Sequence, residues 1–175
     1  MSAIIYTTHH SLILKLIVLN TLDLEVNGLD KAMSALRQMH NIERFATEIY
    51  RVQRRIFTEP VLVDRLIAAM NNEQEHIDTL LERIVSQGGT PSWVGAAFEV
   101  MGKVFGFITG LFGKSFVFKA NIKVEQKAVK DYGIFLETID FDAKSKKRIA
   151  KNLEDEKVHI ERWNDSLNIL ASKSR

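Results

Sequence analysis

The chain contains no cysteine. That absence removes disulfides, zinc–thiolate sites and iron–sulfur clusters together, and it leaves imidazole and carboxylate to hold any transition metal. Proline and glycine are scarce, at 2 and 9 of 175 residues, so long helices are permitted and a β fold of many turns is disfavoured. An excess of one charge is also lacking: 24 Lys and Arg against 22 Asp and Glu leave a net charge of +2. This excludes the strongly basic character of a nucleic-acid binder. What is present is a globular composition, 46% hydrophobic and 26% charged, in a length suited to one domain with one sizeable core. The expected organisation is a single domain over 1–175, with 1–28 as an N-terminal extension and 29–171 as a helical bundle.

The N-terminus carries an apolar run at 12–19, but no basic stretch precedes it and no small-residue cleavage site follows. It reads as part of the mature protein, with the cytoplasm as the expected compartment. Residues 12–26 have a loose helical period, and Asn27–Gly28 stops it. This segment is expected to cover the bundle or meet a partner.

Five helix-patterned stretches follow. The first begins near 29–30 and runs to about 57, with Met33, Leu36, His40, Glu43, Thr47 and Tyr50 on one face. Thr58-Glu59-Pro60 ends it and opens the second, 61–86, whose stripe is Leu66, Met70, Glu73, His76, Leu80 and Ile84. Gln87-Gly88-Gly89-Thr90-Pro91 is a break. Residues 93–113 are apolar nearly all round; only Glu99 and Lys103 are charged, and their i, i+4 spacing predicts a pair. Gly102, Gly106 and Gly110 share one face of that segment. The fourth stretch, 115–138, aligns Phe118, Ile122, Glu125, Val129, Tyr132 and Leu136. The last, 143–170, aligns Ile149, Leu153, Glu156, His159, Trp163 and Leu167.

The informative motif is Glu-x-x-His, present at Glu73–His76 and again at Glu156–His159. At i, i+3 on a helix the two side chains leave the same face. A single such motif commonly marks a solvated surface. Here both lie on apolar stripes, and single carboxylates on two further helices accompany them: Glu125 on one, and Glu43 or its neighbour Glu48 on the other. Periodicity alone leaves that last choice open. Two Glu-x-x-His pairs with one Glu from each of two other helices form the donor set of a ferritin-like di-metal bundle. Carboxylates converging in a core are costly to desolvate and repel one another, and two cations remove both penalties. A donor set of imidazole and carboxylate without thiolate suits iron, with manganese as the alternative.

These residues carry a resemblance. The stretches HNIERFATEIYRVQ (40–53), NEQEHIDTL (72–80), GFITGLFGK (106–114), VEQKAVKDY (124–132) and DEKVH (155–159) resemble the demethoxyubiquinone hydroxylase family, the ferritin-like di-iron monooxygenases of ubiquinone biosynthesis. The likeness covers roughly 36–165. It implies an all-α, ferritin-like four-helix bundle with an additional apolar helix between its halves. It also implies hydroxylation of a quinone or quinol ring by dioxygen, and two iron ions held by Glu43, Glu73, His76, Glu125, Glu156 and His159. Its first motif selects Glu43 over Glu48, with Ile49, Tyr50 and Gln53 matching. Tyr132 matches a family tyrosine near the metals and is the candidate catalytic residue. Tyr50 and Asp155 are candidates for supporting roles around the ligands, Asp155 as the acceptor that orients an imidazole on a neighbouring helix.

The sequence departs from the family pattern at Asn41-Ile42, where Ala-Gly is usual, and at Asp131, where His is usual. The segment between Glu125 and Glu156 is shorter, and the first 35 residues have no counterpart. The resemblance further implies that 93–113 docks peripherally on the inner face of a membrane and admits a polyprenyl tail, with Lys103, Lys114, Lys119 and Lys123 facing anionic headgroups. A buried bundle helix or a homodimer interface is the alternative for that segment. For the whole chain the alternatives are another ferritin-like oxidase, peroxidase or iron-handling protein, and a helical scaffold without metal.

Overall fold

The structure is a computed structural model that describes residues 28–173. The apolar run at 12–26 lies outside the described residues. The described chain is all helical: α1 (Gly28–Gln53), α2 (Pro60–Ser86), α3 (Gly95–Leu111), α4 (Lys114–Thr138) and α5 (Ala143–Lys173). These correspond one for one to the five stretches expected from periodicity.

The helix ends follow local chemistry. Pro60 opens α2 in its first turn, where the missing N–H costs nothing. Gly88 ends it with φ +78°, a left-handed conformation that glycine adopts without strain. Gly113 turns the chain from α3 into α4 with φ +96°. At the start of α5, Asp142 accepts the backbone N–H groups of Lys144 at 2.9 Å and Ser145 at 3.1 Å. One boundary differs from expectation: α1 stops at Gln53, not near 57. The N–H groups of Arg55 and Ile56 fold back on Val52 and Gln53, three residues earlier. This tighter turn carries Phe57 into the core, against Phe118 with ring centroids 4.9 Å apart.

The bundle is formed by α1, α2, α4 and α5. Helix α1 packs against α2 and α3, and α4 packs against α5. Cross-helix bonds fix an antiparallel register between α2 and α5: Arg83 meets Ser145 at one end, and Arg65 meets Ser166 at the other. The apolar interior divides into two clusters. One contains Phe45, Ile49, Phe57, Leu62, Leu66, Phe118 and Trp163; the other contains Leu36, Met39, Leu80, Ile84, Phe141 and Ile149.

Helix α3 lies outside the four, against α1. Its glycine face makes this possible. A Cβ on Gly102 would collide with the Phe45 carbonyl oxygen, and one on Gly106 would lie 2.9 Å from that of Ile49. The expected Glu99–Lys103 pair does not form. Glu99 instead takes Arg44 of α1 at 2.8 Å, and Lys103 reaches toward Glu48 at 3.9 Å. Both charges turn to the helix beneath, where opposite charges stand within reach. The opposite face of α3 is apolar and open to solvent, with Val100, Val104, Phe107, Leu111 and Phe112 exposed. Among the described residues no helix is long and apolar enough to cross a membrane.

Candidate metal centre

The six residues singled out by pattern meet inside the bundle. Glu43 comes from α1, Glu73 and His76 from α2, Glu125 from α4, and Glu156 and His159 from α5. All six are essentially inaccessible to solvent. They form two overlapping groups of four. Glu43, Glu73, His76 and Glu156 make one, and Glu73, Glu125, Glu156 and His159 the other; within each, one donor atom per residue lies within 4.8 Å of all the others. Glu73 and Glu156 belong to both groups. Both imidazoles turn Nδ1 to the carboxylates: His76 lies 3.1 Å from Glu73 and 3.3 Å from Glu156, and His159 lies 3.1 Å and 3.2 Å from the same two.

The electrostatics point the same way. Burial pushes the Glu43 carboxyl well above its ordinary range, with the charges of Glu156 and Glu73 adding to the effect. Burial raises Glu125 to about 8, again helped by Glu156. Burial alone would lower the two imidazoles, but the surrounding carboxylates outweigh it and raise both strongly. Glu73 moves the other way: His159 and His76 overcome its burial and hold it ionised. Burial thus favours the protonated carboxyl at Glu43 and Glu125, while the two imidazoles favour the ionised form of Glu73. Glu73 Oε1 and Glu156 Oε1 are fully buried yet make no well-aligned hydrogen bond; each has only an imidazole Nδ1 near it, at 3.1 and 3.3 Å. Buried carboxylate oxygens so poorly served are costly in a core and are what a cation satisfies. The residues present therefore fit a di-metal site.

The surrounding polar groups form a crossed pattern that sequence reading recognised only in part. Tyr132 of α4 donates its hydroxyl to Glu43 Oε1 of α1, and Tyr50 of α1 donates to Glu125 Oε1 of α4. In both helices the tyrosine follows the glutamate by seven residues, two turns along the same face. That repeated spacing was the available signal. Asp155 accepts His76 Nε2 at 3.1 Å, as expected, and is itself held by Lys151 at 2.8 Å. Trp163, expected as core packing alone, also donates its indole N–H to Glu125 at 3.3 Å. Gln53 bonds Thr109 at 3.0 Å and Asn121 at 2.9 Å, tying α1, α3 and α4 together below the centre. Glu48, the rival to Glu43, faces α3 and is not part of the cluster.

A cleft of about 210 Å³ opens between α1, the start of α3 and α4. Asn41, Ile42 and Asp131 all line it. Three residues that depart from the family pattern thus meet at one cleft, with Asp131 paired to Lys127 at 2.5 Å.

A ferritin-like helical bundle enclosing a buried carboxylate–imidazole centre that fits two metal ions is the class defined by this fold and site. Among solved structures the fold is similar to the bacterioferritin-related protein from Bacteroides fragilis, described as a dodecameric thioferritin. The TM-score is 0.66 at 16% identity, over 90% of this chain and 94% of that one. No match was found among curated proteins. The family described as ubiquinone biosynthesis protein COQ7 matches residues 30–162, and the chain belongs to that family.

Proposed function

We propose that the protein is a di-iron monooxygenase that hydroxylates a quinone or quinol ring with dioxygen. The observation that carries this reading is the pair of four-donor groups sharing Glu73 and Glu156, in a chain of the ubiquinone biosynthesis family. Two iron ions, when bound, supply the activation of dioxygen. Glu43 and His76 would hold one ion, Glu125 and His159 the other, and Glu73 and Glu156 would bridge them. Tyr132 and Tyr50 act through the carboxylates: each donates a hydrogen bond that fixes the orientation of a terminal glutamate. We assign Tyr132 a positioning role on Glu43. The clusters around Phe118 and Ile149 keep bulk water from both ends of the site.

The same reading places the exposed apolar face of α3 against the inner face of a membrane, the source of a polyprenyl-tailed substrate. Phe107, Leu111 and Phe112 supply the apolar contact. The glycine face turned to α1 leaves Phe107 and Leu111 on the outside.

The test is product analysis. Protein loaded anaerobically with ferrous iron is mixed with a demethoxylated quinol and oxygen, and the quinone pool is examined by mass spectrometry. Gain of one oxygen on the ring, dependent on iron, is the expected result. Peroxide turnover without change in the quinol would instead identify an oxidase or iron-handling protein. Failure to bind metal would leave a helical scaffold.

A further inference from the structure

The two halves of the centre repeat one another closely. Each has a terminal glutamate, a Glu-x-x-His pair and a tyrosine crossing from the other half. The repeat breaks at the residue just before each Glu-x-x-His: Asp155 precedes Glu156, but Asn72 precedes Glu73.

The break has direct contacts. Asp155 Oδ2 sits 3.1 Å from His76 Nε2. A carboxylate in that position keeps the imidazole proton on Nε2, leaves Nδ1 free to bind metal, and makes it a stronger donor. His159 has no such support: its Nδ1 faces Glu73, Glu125 and Glu156, and no described side chain bonds its Nε2. Asn72 does not take that place. Its amide Nδ2 turns to the same Asp155 Oδ2 at 3.5 Å. A second difference acts in the same direction. Glu125 Oε1 accepts both the Tyr50 hydroxyl and the Trp163 indole N–H, whereas Glu43 accepts only the Tyr132 hydroxyl. Each added donor draws electron density from the carboxylate that must bind the ion.

We propose that the two metal positions are inequivalent and fill in order, the Glu43/His76 position first, with Asp155 as the positioning residue that sets the order. This rests on the di-metal reading above. Outer carboxylates of this kind change metal affinity by about 10- to 100-fold, so the two steps are separated by a factor of that size.

The experiment is an anaerobic titration of the metal-free protein with Mn(II), followed by calorimetry and by electron paramagnetic resonance. Two resolved binding steps are expected. The spectrum of a single bound ion should reach its maximum at one equivalent, then give way to that of a coupled pair at two. In Asp155→Asn the first step should weaken by about 10- to 100-fold and merge with the second, and mixed empty, single and paired species should appear at one equivalent. In Lys151→Met, which removes the ammonium that holds Asp155 Oδ2 at 2.8 Å, the first step should weaken while the second is unchanged, which tests the idea even if the first variant does not fold. Two ions binding in one unresolved step to the natural sequence, or steps unchanged in both variants, would overturn the inference and leave the di-metal reading standing. No binding of Mn(II) or Fe(II) would overturn both.

Discussion

Glu73 and Glu156 have no exposed surface, while Trp93 is 91% exposed and Leu111 69%. The bundle interior and the outer face of α3 each invert the usual placement of charge and apolar surface. The inversions differ in kind. Inside, the charges converge at distances that only protons or metal ions can reconcile. Outside, the apolar side chains spread along one helix face, and the glycines are turned inward against α1. The first arrangement fits a pair of bound cations; the second leaves an apolar face open to solvent.

The strongest way to break this contrast is Glu73→Ala. Because Glu73 belongs to both groups of donors, its loss should abolish binding of both ions, measured as metal per chain after anaerobic loading. The stabilisation that metal gives the natural sequence, about 3 kcal/mol at a hundredfold excess over Kd, should vanish with it. Glu43→Ala, which touches one group only, should leave one ion bound.

Acidity should weaken the same site next most strongly. His76 and His159 are raised in the metal-free fold, so at neutral pH they hold protons that an incoming ion must displace. Affinity should therefore rise with pH and fall toward acid, by about tenfold per pH unit for each proton displaced. Chelator competition between pH 8 and 6 checks the sign; an affinity indifferent to pH would contradict the assignment of the imidazoles as ligands.

Gly102→Leu should cost about 1–3 kcal/mol, the usual penalty for overpacking, because the new side chain meets the Phe45 carbonyl. Hydrogen exchange should quicken along α3 while metal loading is retained. The smallest effect on the fold belongs to Phe107→Ser with Leu111→Ser. Stability should change by less than about 0.5 kcal/mol per site, yet partition onto vesicles containing anionic lipid should fall sharply. Unchanged partition would remove the membrane reading and leave α3 to be covered by another copy of the chain.

Much of this was legible before the structure. The two Glu-x-x-His pairs are local in sequence, so helical spacing alone places both donors on one face. Glu125 is a solitary carboxylate on an apolar stripe. Glu43 was harder, because α1 is buried on two sides: Glu43 faces the bundle interior and Glu48 lies beneath α3, so both faces carry inward side chains and no single stripe stands out. The Glu99–Lys103 pair failed for a related reason. Helical spacing allows neighbours to meet, but Arg44 and Glu48 on the helix below compete for them. The crossed tyrosine bonds could not be foreseen residue by residue, since they depend on the register between α1 and α4.

That register gives the crossed tyrosines a consequence beyond the site. Sliding α1 past α4 by one turn would strand two phenols and two carboxylates at once, in the buried core. The centre therefore works as a vernier that aligns the helices, and chains that lost it would lose a reason to stop at the right notch as well as their chemistry.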